Sequence, residues 1–156
     1  MESPSMDSGR SPVILLVDDE EIVLGFARKV LQKAGYVVLT AGNSVEALHA
    51  GAAYKGIIDV LLTDVRMRLF ENGLELAACF GTLRPETNVL LMSASCLPGG
   101  ADHRELGWSF LPKPFSAWQL LDAVGSLVVR RPAAADWVAW AQAVPLDSAH
   151  PESPAT

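Results

Sequence analysis

The sequence predicts a single α/β domain built on a doubly wound parallel sheet of five strands. Short apolar runs of strand length alternate along the chain with stretches in which apolar residues recur at helical spacing. The apolar runs are nearly continuous, which is typical of parallel strands that helices cover on both faces. A length of 156 residues, 50% of them hydrophobic, is sufficient for one buried core of this kind.

The first predicted strand is Val13–Val17, an apolar run that a series of acidic residues ends. Apolar residues then recur at helical spacing, and Gly35 is placed to end this helix. The apolar face of the helix is predicted to contain Ile22, Val23, Phe26, Ala27, Val30, Leu31 and Ala34.

The second predicted strand is Tyr36–Thr40, which follows the first helix directly. Asn43 and Glu46 then have the spacing of a capping box, in which each side chain accepts a hydrogen bond from the backbone of the other residue. A second helix is therefore predicted from this box to about Tyr54.

The third strand is predicted over Ile57–Thr63, an apolar run that only Asp59 interrupts. The third helix is predicted over Leu74–Leu83. It ends before Pro85, because proline disfavours helical backbone in the residue that precedes it. The fourth strand is predicted over Val89–Met92.

The fifth predicted strand is Trp108–Leu111. Ser116 and Gln119 form a second capping-box pattern, which begins a final helix that ends near Arg131. The apolar face of this final helix contains Ala117, Leu120, Leu121, Val124, Leu127 and Val128.

The two ends of the chain differ in composition from the domain between them. Residues 1–12 are rich in Ser, Pro, Gly and Asp and are predicted to be a flexible leader, and residues 13–131 form the predicted domain. Residues 132–156 hold four prolines, three acids and no lysine or arginine, so they are predicted to be an acidic tail. The segment 133–144 of this tail has the spacing of one short helix, with a common face of Trp137, Trp140 and Ala141.

Composition and charge exclude several classes of function. Eighteen acidic and twelve basic residues give a net charge of -6, whereas surfaces that bind nucleic acid are basic. The chain has no signal-peptide pattern and no apolar run near the ~20 residues of a membrane span. Cys79 and Cys96 lack metal-ligand spacing and are predicted to be buried free thiols. We therefore expect a cytoplasmic protein that binds neither nucleic acid nor a membrane.

Five polar residues follow the predicted strands at their carboxyl ends. They are Asp18 and Asp19 after the first strand, Asp64 after the third, Ser93 after the fourth and Lys113 after the fifth. Ligands of an open parallel sheet bind at these ends, next to the point where the strand order reverses. In the order 2-1-3-4-5 that point lies between the first and third strands, so the three aspartates are expected to meet there.

This set of residues predicts a site for a phosphoryl group. Three clustered carboxylates repel one another and need a cation to remain ionised. Oxygen ligands without nearby histidine or cysteine favour Mg²⁺ over Zn²⁺. The ammonium of Lys113 and the hydroxyl of Ser93 suit phosphoryl oxygens, and an aspartate can act as the nucleophile in phosphoryl transfer.

In these residues the chain resembles the receiver domains of response regulators in two-component signalling, over about residues 13–130. The resemblance rests on four motifs that have the order and the strand-end positions of that family. They are Leu-Leu-Val-Asp-Asp-Glu-Glu at 15–21, Leu-Thr-Asp-Val-Arg-Met at 62–67, Met-Ser-Ala at 92–94 and Leu-Pro-Lys-Pro-Phe at 111–115. The resemblance implies a flavodoxin-like sheet with the strand order 2-1-3-4-5.

The resemblance implies that a sensor histidine kinase or a phosphotransfer protein phosphorylates Asp64. It further implies that Asp64, Asp19 and the backbone carbonyl of Arg66 ligate Mg²⁺, with Asp18 bound through water. The chemistry would then be self-catalysed phosphoryl transfer and autodephosphorylation only. The chain is not expected to be an enzyme in any further sense.

The family also implies how the phosphoryl group is held and how it acts. Ser93 and Lys113 would hold it, and Phe110 would be an aromatic switch that turns inward when Ser93 moves. The Lys113–Pro114 bond would be cis, which is true of only about 5 to 6% of such bonds in folded proteins. The output is expected to be docking to a separate downstream protein, since the residues after the final helix are too few for a DNA-binding module.

Two segments depart from the family pattern. Arg68 stands where the family usually has proline, and the loop 68–72 before Gly73 is one residue longer than usual. The Pro-Gly-Gly at 98–100 leaves only residues 101–106 for the fourth helix of the family. A shortened fourth helix is therefore predicted.

Two alternative functions belong to other classes. A receiver-like module that signals by docking alone, without phosphorylation, would have the same fold, but here the acceptor, the metal acids, the hydroxyl and the lysine are all present. A Mg²⁺ phosphatase of the haloacid dehalogenase type also uses a doubly wound sheet and a nucleophilic aspartate. That chemistry needs Asp-x-Asp after the first strand, where this chain has Asp-Asp-Glu-Glu at 18–21.

Overall fold

A computed structural model describes residues 10–67, 73–94 and 107–128. Within these ranges the strands are β1 (Val13–Val17), β2 (Val37–Ala41), β3 (Val60–Asp64), β4 (Asn88–Ser93) and β5 (Ser109–Pro112). The helices in the same ranges are α1 (Glu21–Lys33), α2 (Ser44–Ala53), α3 (Gly73–Leu83) and α4 (Ala117–Val128). Strands and helices alternate from β1 to β4, as predicted.

All five strands pair in parallel, in the order β2-β1-β3-β4-β5. The predicted α/β fold, with a doubly wound sheet in the order 2-1-3-4-5, is thereby confirmed. Every residue of β1, β3 and β4 is buried, whereas the edge strands β2 and β5 are partly exposed. Helices cover the central strands on both faces, which is why their sequences are nearly continuous apolar runs.

The helices form a separate core on each face of the sheet. Alternate side chains of β1 enter the two cores, with Leu15 in one and Ile14 and Leu16 in the other. The first core is covered by α2 and α3, which contribute Ala47, Leu76, Ala77 and Phe80. The second core is covered by α1 and α4, which contribute Ala27, Leu31, Leu120, Val124 and Leu127.

The strand boundary that differs most from the prediction is the start of β3, at Val60 instead of Ile57. The carboxylate of Asp59 accepts two hydrogen bonds from the guanidinium of Arg10, both at 2.9 Å, and one from the backbone N–H of Val13 at 2.7 Å. Asp59 therefore stands at the entrance to the strand, where its charge is paired, instead of within an apolar strand. The other strands agree with the predicted ranges to within one residue at each end.

The two predicted capping boxes lie at helix starts. At α4 the box is complete, because the Ser116 hydroxyl accepts from the Gln119 N–H at 3.1 Å and the Gln119 side chain accepts from the Ser116 N–H at 2.8 Å. At α2 the Asn43 side chain accepts from the Glu46 N–H at 2.8 Å, but the Glu46 carboxylate accepts from the N–H of Gly42. In the capping box at α2, the hydrogen bond to the Glu46 side chain therefore comes from the residue before Asn43 instead of from Asn43 itself.

The predicted buried face of the first helix is too wide. Ile22 and Phe26 are assigned to that face by the sequence pattern, but their side chains are 86% and 43% exposed. The fully buried residues of α1 are Ala27 and Leu31. A helix that lies on a sheet buries only one stripe of its surface, and positions at the margin of that stripe face solvent even when they are apolar.

The burial predicted for Cys79 is also wrong, because this thiol is exposed on α3. Other predictions fall on residues outside the described ranges. They are the burial of Cys96, the lengthened loop at 68–72, the shortened helix predicted at 101–106 (the fourth helix of the family, not the α4 labelled here) and the short helix predicted at 133–144.

The division of the chain into residues 1–12, 13–131 and 132–156 stays a prediction. Arg10 binds Asp59, and the carbonyl of Pro12 accepts a hydrogen bond from the N–H of Val37 at 2.9 Å. Among the helices of the described ranges, none has the length and apolar character needed to cross a membrane.

Candidate functional site

The polar residues predicted to meet at the carboxyl ends of the strands lie at those ends. Asp64 and Ser93 are the last residues of β3 and β4, while Asp18 follows β1 directly and Lys113 follows β5 directly. Because β1 and β3 are neighbours in the sheet, Asp18 and Asp64 come from adjacent strands at the point where the strand order reverses.

Three carboxylates form the centre of the site. One oxygen each from Asp18, Asp19 and Asp64 lie within 4.8 Å of one another. Asp18 is fully buried and Asp64 is 5% exposed, whereas Asp19 is partly exposed. Buried like charges at this separation are unfavourable unless a cation accompanies them. The cluster is therefore a candidate cation site.

The ammonium of Lys113 lies among these carboxylates. Its Nζ donates a hydrogen bond to Oδ2 of Asp18 at 2.8 Å and lies 3.5 Å from Oδ2 of Asp64. The same Nζ lies 3.7 Å from Oε1 of Glu20. Asp18 also accepts, through Oδ1, a hydrogen bond from the backbone N–H of Glu20 at 2.9 Å. Glu20 is not among the residues that the sequence predicts for the site, although its place directly after the acidic pair points to it.

Backbone hydrogen bonds fix the strand ends relative to one another. The N–H of Lys113 donates to the carbonyl of Ser93 at 2.9 Å, and the N–H of Val65 donates to the carbonyl of Met92 at 2.8 Å. Lys113 and the segment that follows Asp64 are thus both tied to the end of β4. The Lys113–Pro114 peptide bond is cis, as the family resemblance implies.

Gly73 holds the start of α3 close to Asp64. Its N–H donates to the carbonyl of Val65 at 2.9 Å. A Cβ atom at this position would lie 2.1 Å from the carbonyl oxygen of Asp64, which is far inside van der Waals contact. Only glycine permits this approach of two backbone segments. In the sequence, Gly73 is visible only as the end of a loop, so its positioning role depends on the folded structure.

The environment of the site raises the pKa values of Asp64 and Lys113 for different reasons. Burial, together with the neighbouring charge of Asp18, raises the pKa of Asp64 from 3.8 to about 6. The charge and hydrogen bond of Lys113 and a backbone hydrogen bond from Arg66 oppose this change. For Lys113, burial lowers the pKa, but the hydrogen bond and charge of Asp18, with the charges of Asp64 and Glu20, hold it above its ordinary value.

The ligand set fits a hard divalent cation. All of the candidate ligands are carboxylate oxygens, and no histidine or cysteine of the described ranges belongs to the group. The ammonium of Lys113 contacts two of these carboxylates, those of Asp18 and Asp64. Mg²⁺ is a hard cation that binds oxygen ligands of this kind.

The remaining predicted site residues lie around this centre. Ser93 is buried at the end of β4, and Phe110 is partly buried on β5, against the core that α2 and α3 cover. Arg66 follows Asp64 by two positions, and its side chain is exposed. The roles of these residues in holding the phosphoryl group, in the switch and in metal binding remain predictions.

The sequence pattern of the response regulator receiver domain matches residues 14–125 of this chain. Two curated relatives are similar over much of the same region. The sensor kinase CckA of Brucella abortus (strain 2308) is 31% identical over 132 residues, 80% of this chain and 13% of that protein. Protein PetR of Rhodobacter capsulatus is 33% identical over 138 residues, 83% of this chain and 54% of that protein. The chain thus spans about half or less of the length of these relatives.

Solved structures share the fold. The receiver domain of the hybrid histidine kinase CckA is 31% identical, with a TM-score of 0.64, and the similarity covers 74% of this chain and 98% of that one. A response regulator receiver protein from Sinorhizobium medicae WSM419 is 27% identical, with a TM-score of 0.68 over 76% of this chain and 95% of that one. Sequence pattern, relatives and fold agree, and on this evidence the chain belongs to the response regulator receiver domain family of two-component signalling.

Proposed function

We propose that this chain is a phospho-accepting receiver domain in which Asp64 takes a phosphoryl group with the help of Mg²⁺. The observation that carries the proposal is the position of the Lys113 ammonium, 2.8 Å from the carboxylate of Asp18 and 3.5 Å from that of Asp64. A charged lysine next to the acceptor is placed to neutralise the charge of a phosphoryl group. Membership of the receiver family supports the same conclusion.

Three carboxylates and one carbonyl would hold the cation. Asp19, Asp64 and the backbone carbonyl of Arg66 are the proposed direct ligands, with Asp18 bound through water. The carboxylate oxygens within 4.8 Å of one another support this assignment, and receiver domains typically bind Mg²⁺ at such a cluster. When bound, Mg²⁺ supplies charge neutralisation to the acceptor carboxylate and to the phosphoryl oxygens.

The proposed transfer forms one bond and breaks one. A carboxylate oxygen of Asp64 attacks the phosphorus of a phosphohistidine on the donor, and the P–N bond breaks. The imidazole leaves with the electron pair of that bond and takes a proton from water. Lys113 pairs with the phosphoryl oxygens. Attack of water on the acyl phosphate later releases inorganic phosphate and restores the carboxylate, so no separate substrate is turned over.

Ser93 and Phe110 are the proposed route from the phosphoryl group to the surface. The Ser93 hydroxyl moves to donate a hydrogen bond to a phosphoryl oxygen, and the ring of Phe110 turns inward as Ser93 moves. The position of Ser93 supports this route, since its carbonyl is bonded to the N–H of Lys113 at 2.9 Å. The altered surface then docks to a separate downstream protein.

The proposed donor is a sensor histidine kinase or a phosphotransfer protein, and the proposed location is the cytoplasm. Residues 13–131 form the signalling domain, with the leader and the tail outside it. The net charge of -6 supports a protein partner instead of a nucleic acid.

Phosphorylation can be tested with acetyl phosphate as a small donor and intact-mass spectrometry as the readout. We expect the chain to gain the mass of one phosphoryl group in Mg²⁺ and to gain none in excess EDTA. Asp64→Asn is expected to abolish the gain. Asp59→Asn is the matched control, because Asp59 lies at the opposite end of β3 and pairs with Arg10, and it should accept phosphate normally.

Equal uptake by Asp64→Asn, or full uptake in EDTA, would contradict the proposal. No uptake by the unaltered chain would favour a module that signals by docking alone. Continuous hydrolysis of a generic phosphate ester would favour a phosphatase of the haloacid dehalogenase type.

A further inference from the structure

Glu20 brings a further carboxylate to the ammonium of Lys113. Its Oε1 atom lies 3.7 Å from Nζ of the lysine. The other two carboxylates that contact this ammonium, those of Asp18 and Asp64, are buried, whereas the Glu20 side chain is 59% exposed. Glu20 is therefore the member of this group that faces solvent, and a molecule that reaches Lys113 from solvent comes close to its charge.

Backbone hydrogen bonds fix the position of Glu20 at the site. Its N–H donates to Oδ1 of Asp18 at 2.9 Å, and its carbonyl accepts from the N–H of Leu24 at 3.0 Å. Glu20 occupies the N-cap position of α1, where a side chain usually accepts a hydrogen bond from the first turn, but its side chain makes no such bond. The carboxylate is therefore not used to cap α1, and the charged group that it contacts is Lys113.

The distance between Glu20 and Lys113 sets how strongly this carboxylate acts on a phosphoryl group. A phosphoryl oxygen paired with Lys113 would lie about 3 Å from Nζ. Since Nζ is 3.7 Å from Oε1 of Glu20, that oxygen would lie no more than about 7 Å from the carboxylate. Even with the dielectric constant of water, the repulsion between two unit negative charges at this distance lowers a binding or rate constant about threefold.

We propose that Glu20 is a specificity-determining residue that disfavours strongly anionic phosphoryl donors at Asp64. The inference rests on the proposed function, since it concerns the donor of the proposed transfer. Each negative charge of the donor adds to the repulsion from Glu20, and repulsion of the wrong partner is one source of specificity. Acyl phosphates, which are dianions at neutral pH, are therefore disfavoured relative to phosphoramidate, in which a protonated nitrogen reduces the net charge to that of a monoanion.

The same bond to Asp64 forms from either class of donor, because a carboxylate oxygen attacks phosphorus in both reactions. With acetyl phosphate the P–O bond breaks, and acetate leaves with the electron pair of that bond. With phosphoramidate the P–N bond breaks, and the protonated nitrogen takes the electron pair and leaves as ammonia. A variant that disturbs Asp64 or Lys113 changes both rates, whereas a variant that alters the repulsion of the donor changes the ratio of the two rates.

The test compares the second-order rate constants for phosphorylation of the full chain by acetyl phosphate and by phosphoramidate. They are measured by intact-mass spectrometry at neutral pH with saturating Mg²⁺. We expect the ratio of the acetyl phosphate rate to the phosphoramidate rate to rise about threefold in Glu20→Gln and about threefold further in Glu20→Lys. Both increases should nearly disappear at about 1 M salt, where the Debye length is about 3 Å.

Glu21→Gln is the matched control, because it removes the same charge from the neighbouring exposed residue. We expect this variant to leave the donor ratio close to that of the unaltered chain. Urea unfolding of the variants reports a purely structural role at the start of α1, where acidic side chains interact favourably with the helix dipole. Such a role changes the free energy of unfolding but does not change the donor ratio.

Three results would overturn the proposal. An equal donor ratio in the unaltered chain, Glu20→Gln and Glu20→Lys would overturn it while the proposed function stands, because uptake of phosphate is measured in the same samples. Equal changes in Glu20→Gln and Glu21→Gln would also overturn it, since the effect would then belong to the net charge of the chain. No uptake by the unaltered chain from either donor would overturn the proposed function and this inference together.

Discussion

At the scale of single residues, the ammonium of Lys113 contacts two carboxylates of the site unequally. Lys113 contacts Asp18 at 2.8 Å but approaches Asp64 only to 3.5 Å. Burial and the charge of Asp18 disfavour the ionised form of Asp64 and raise its pKa to about 6, and the more distant ammonium of Lys113 offsets this only in part. The residue proposed to react is therefore one whose charge the domain stabilises poorly on its own, which is a frequent property of functional groups.

The first prediction concerns how much the ionised carboxylate of Asp64 lowers the free energy of unfolding. A carboxyl group whose pKa is raised on folding binds its proton more tightly in the folded state. Stability therefore falls as the pH rises from 3.8 to about 6, and the cost is complete above that range. Asp64→Asn removes the charge, so at neutral pH without Mg²⁺ we expect a free energy of unfolding up to about 3 kcal/mol higher than that of the unaltered chain.

Urea unfolding at several pH values measures this effect. The advantage of Asp64→Asn should shrink as the pH falls from about 6 to 3.8 and vanish at lower pH, where Asp64 is protonated in both the folded and the unfolded chain. Asp59→Asn is the control with the opposite sign, because Asp59 accepts charge-assisted hydrogen bonds from Arg10 and should lose stability. If Asp64→Asn is less stable than the unaltered chain at neutral pH, the charge of Asp64 does not destabilise the fold.

The second prediction concerns the lysine. Lys113→Ala leaves the fully buried carboxylate of Asp18 without its 2.8 Å cationic partner. Removing one member of a buried ion pair costs about 3 to 5 kcal/mol. We expect a loss of this order in urea unfolding without Mg²⁺, and a large part of it should be restored by Mg²⁺, which replaces the missing positive charge. A loss that Mg²⁺ leaves unchanged would argue against a cation site at these carboxylates.

At the scale of elements, the turns at the carboxyl ends decide the geometry of the site. The segment after β3 is held on one side by the bond from Val65 to the carbonyl of Met92. On the other side it is held by the close approach of Gly73 to the carbonyl of Asp64. The start of α3 is thus packed directly against the backbone of Asp64. The position of Asp64 depends on this packing as much as on the strand.

The third prediction tests that packing. In Gly73→Ala the new Cβ would meet the Asp64 carbonyl at 2.1 Å, and backbone must shift to relieve the clash. We expect a loss of about 1 to 3 kcal/mol or more in thermal or urea unfolding. Gly25→Ala is the matched control, because that position in α1 has open space, and a gain of about 0.5 to 1 kcal/mol is expected there. A Gly73→Ala variant as stable as the unaltered chain would show that α3 moves away without cost.

Strands and helix starts were the features that local sequence could predict. Apolar runs located the strands of the described ranges, and they are nearly continuous in β1, β3 and β4, because buried parallel strands have no polar face. The capping residues Ser116 and Gln119 marked the start of α4 for an equally local reason. The exposure of Ile22 and Phe26 was not predictable, since it depends on how far α1 covers the sheet. The same holds for the contacts of Lys113 with Asp18 and Glu20, which join distant parts of the chain.

At the scale of the whole molecule, the parallel sheet makes the site and the global stability one system. Asp18 and Lys113 are 95 positions apart, yet the sheet places their charged groups in contact. The carboxylates at the carboxyl ends of the strands come together only in the folded chain. Any cation that binds them therefore stabilises the fold as a whole by mass action.

The last prediction follows from this linkage. Mg²⁺ should raise the free energy of unfolding of the unaltered chain, by about 2.7 kcal/mol when its concentration is a hundred times the dissociation constant. The gain should be larger at about pH 8 than at about pH 5, because protons compete with the cation at Asp64, whose pKa is about 6. Thermal unfolding with Mg²⁺, with EDTA and with NaCl of equal ionic strength measures the effect. Asp19→Asn should lose most of the gain, since it removes one of the three clustered carboxylates. Equal stabilisation by NaCl, or a gain that does not depend on pH, would point to general screening of the net charge of -6 instead of a site.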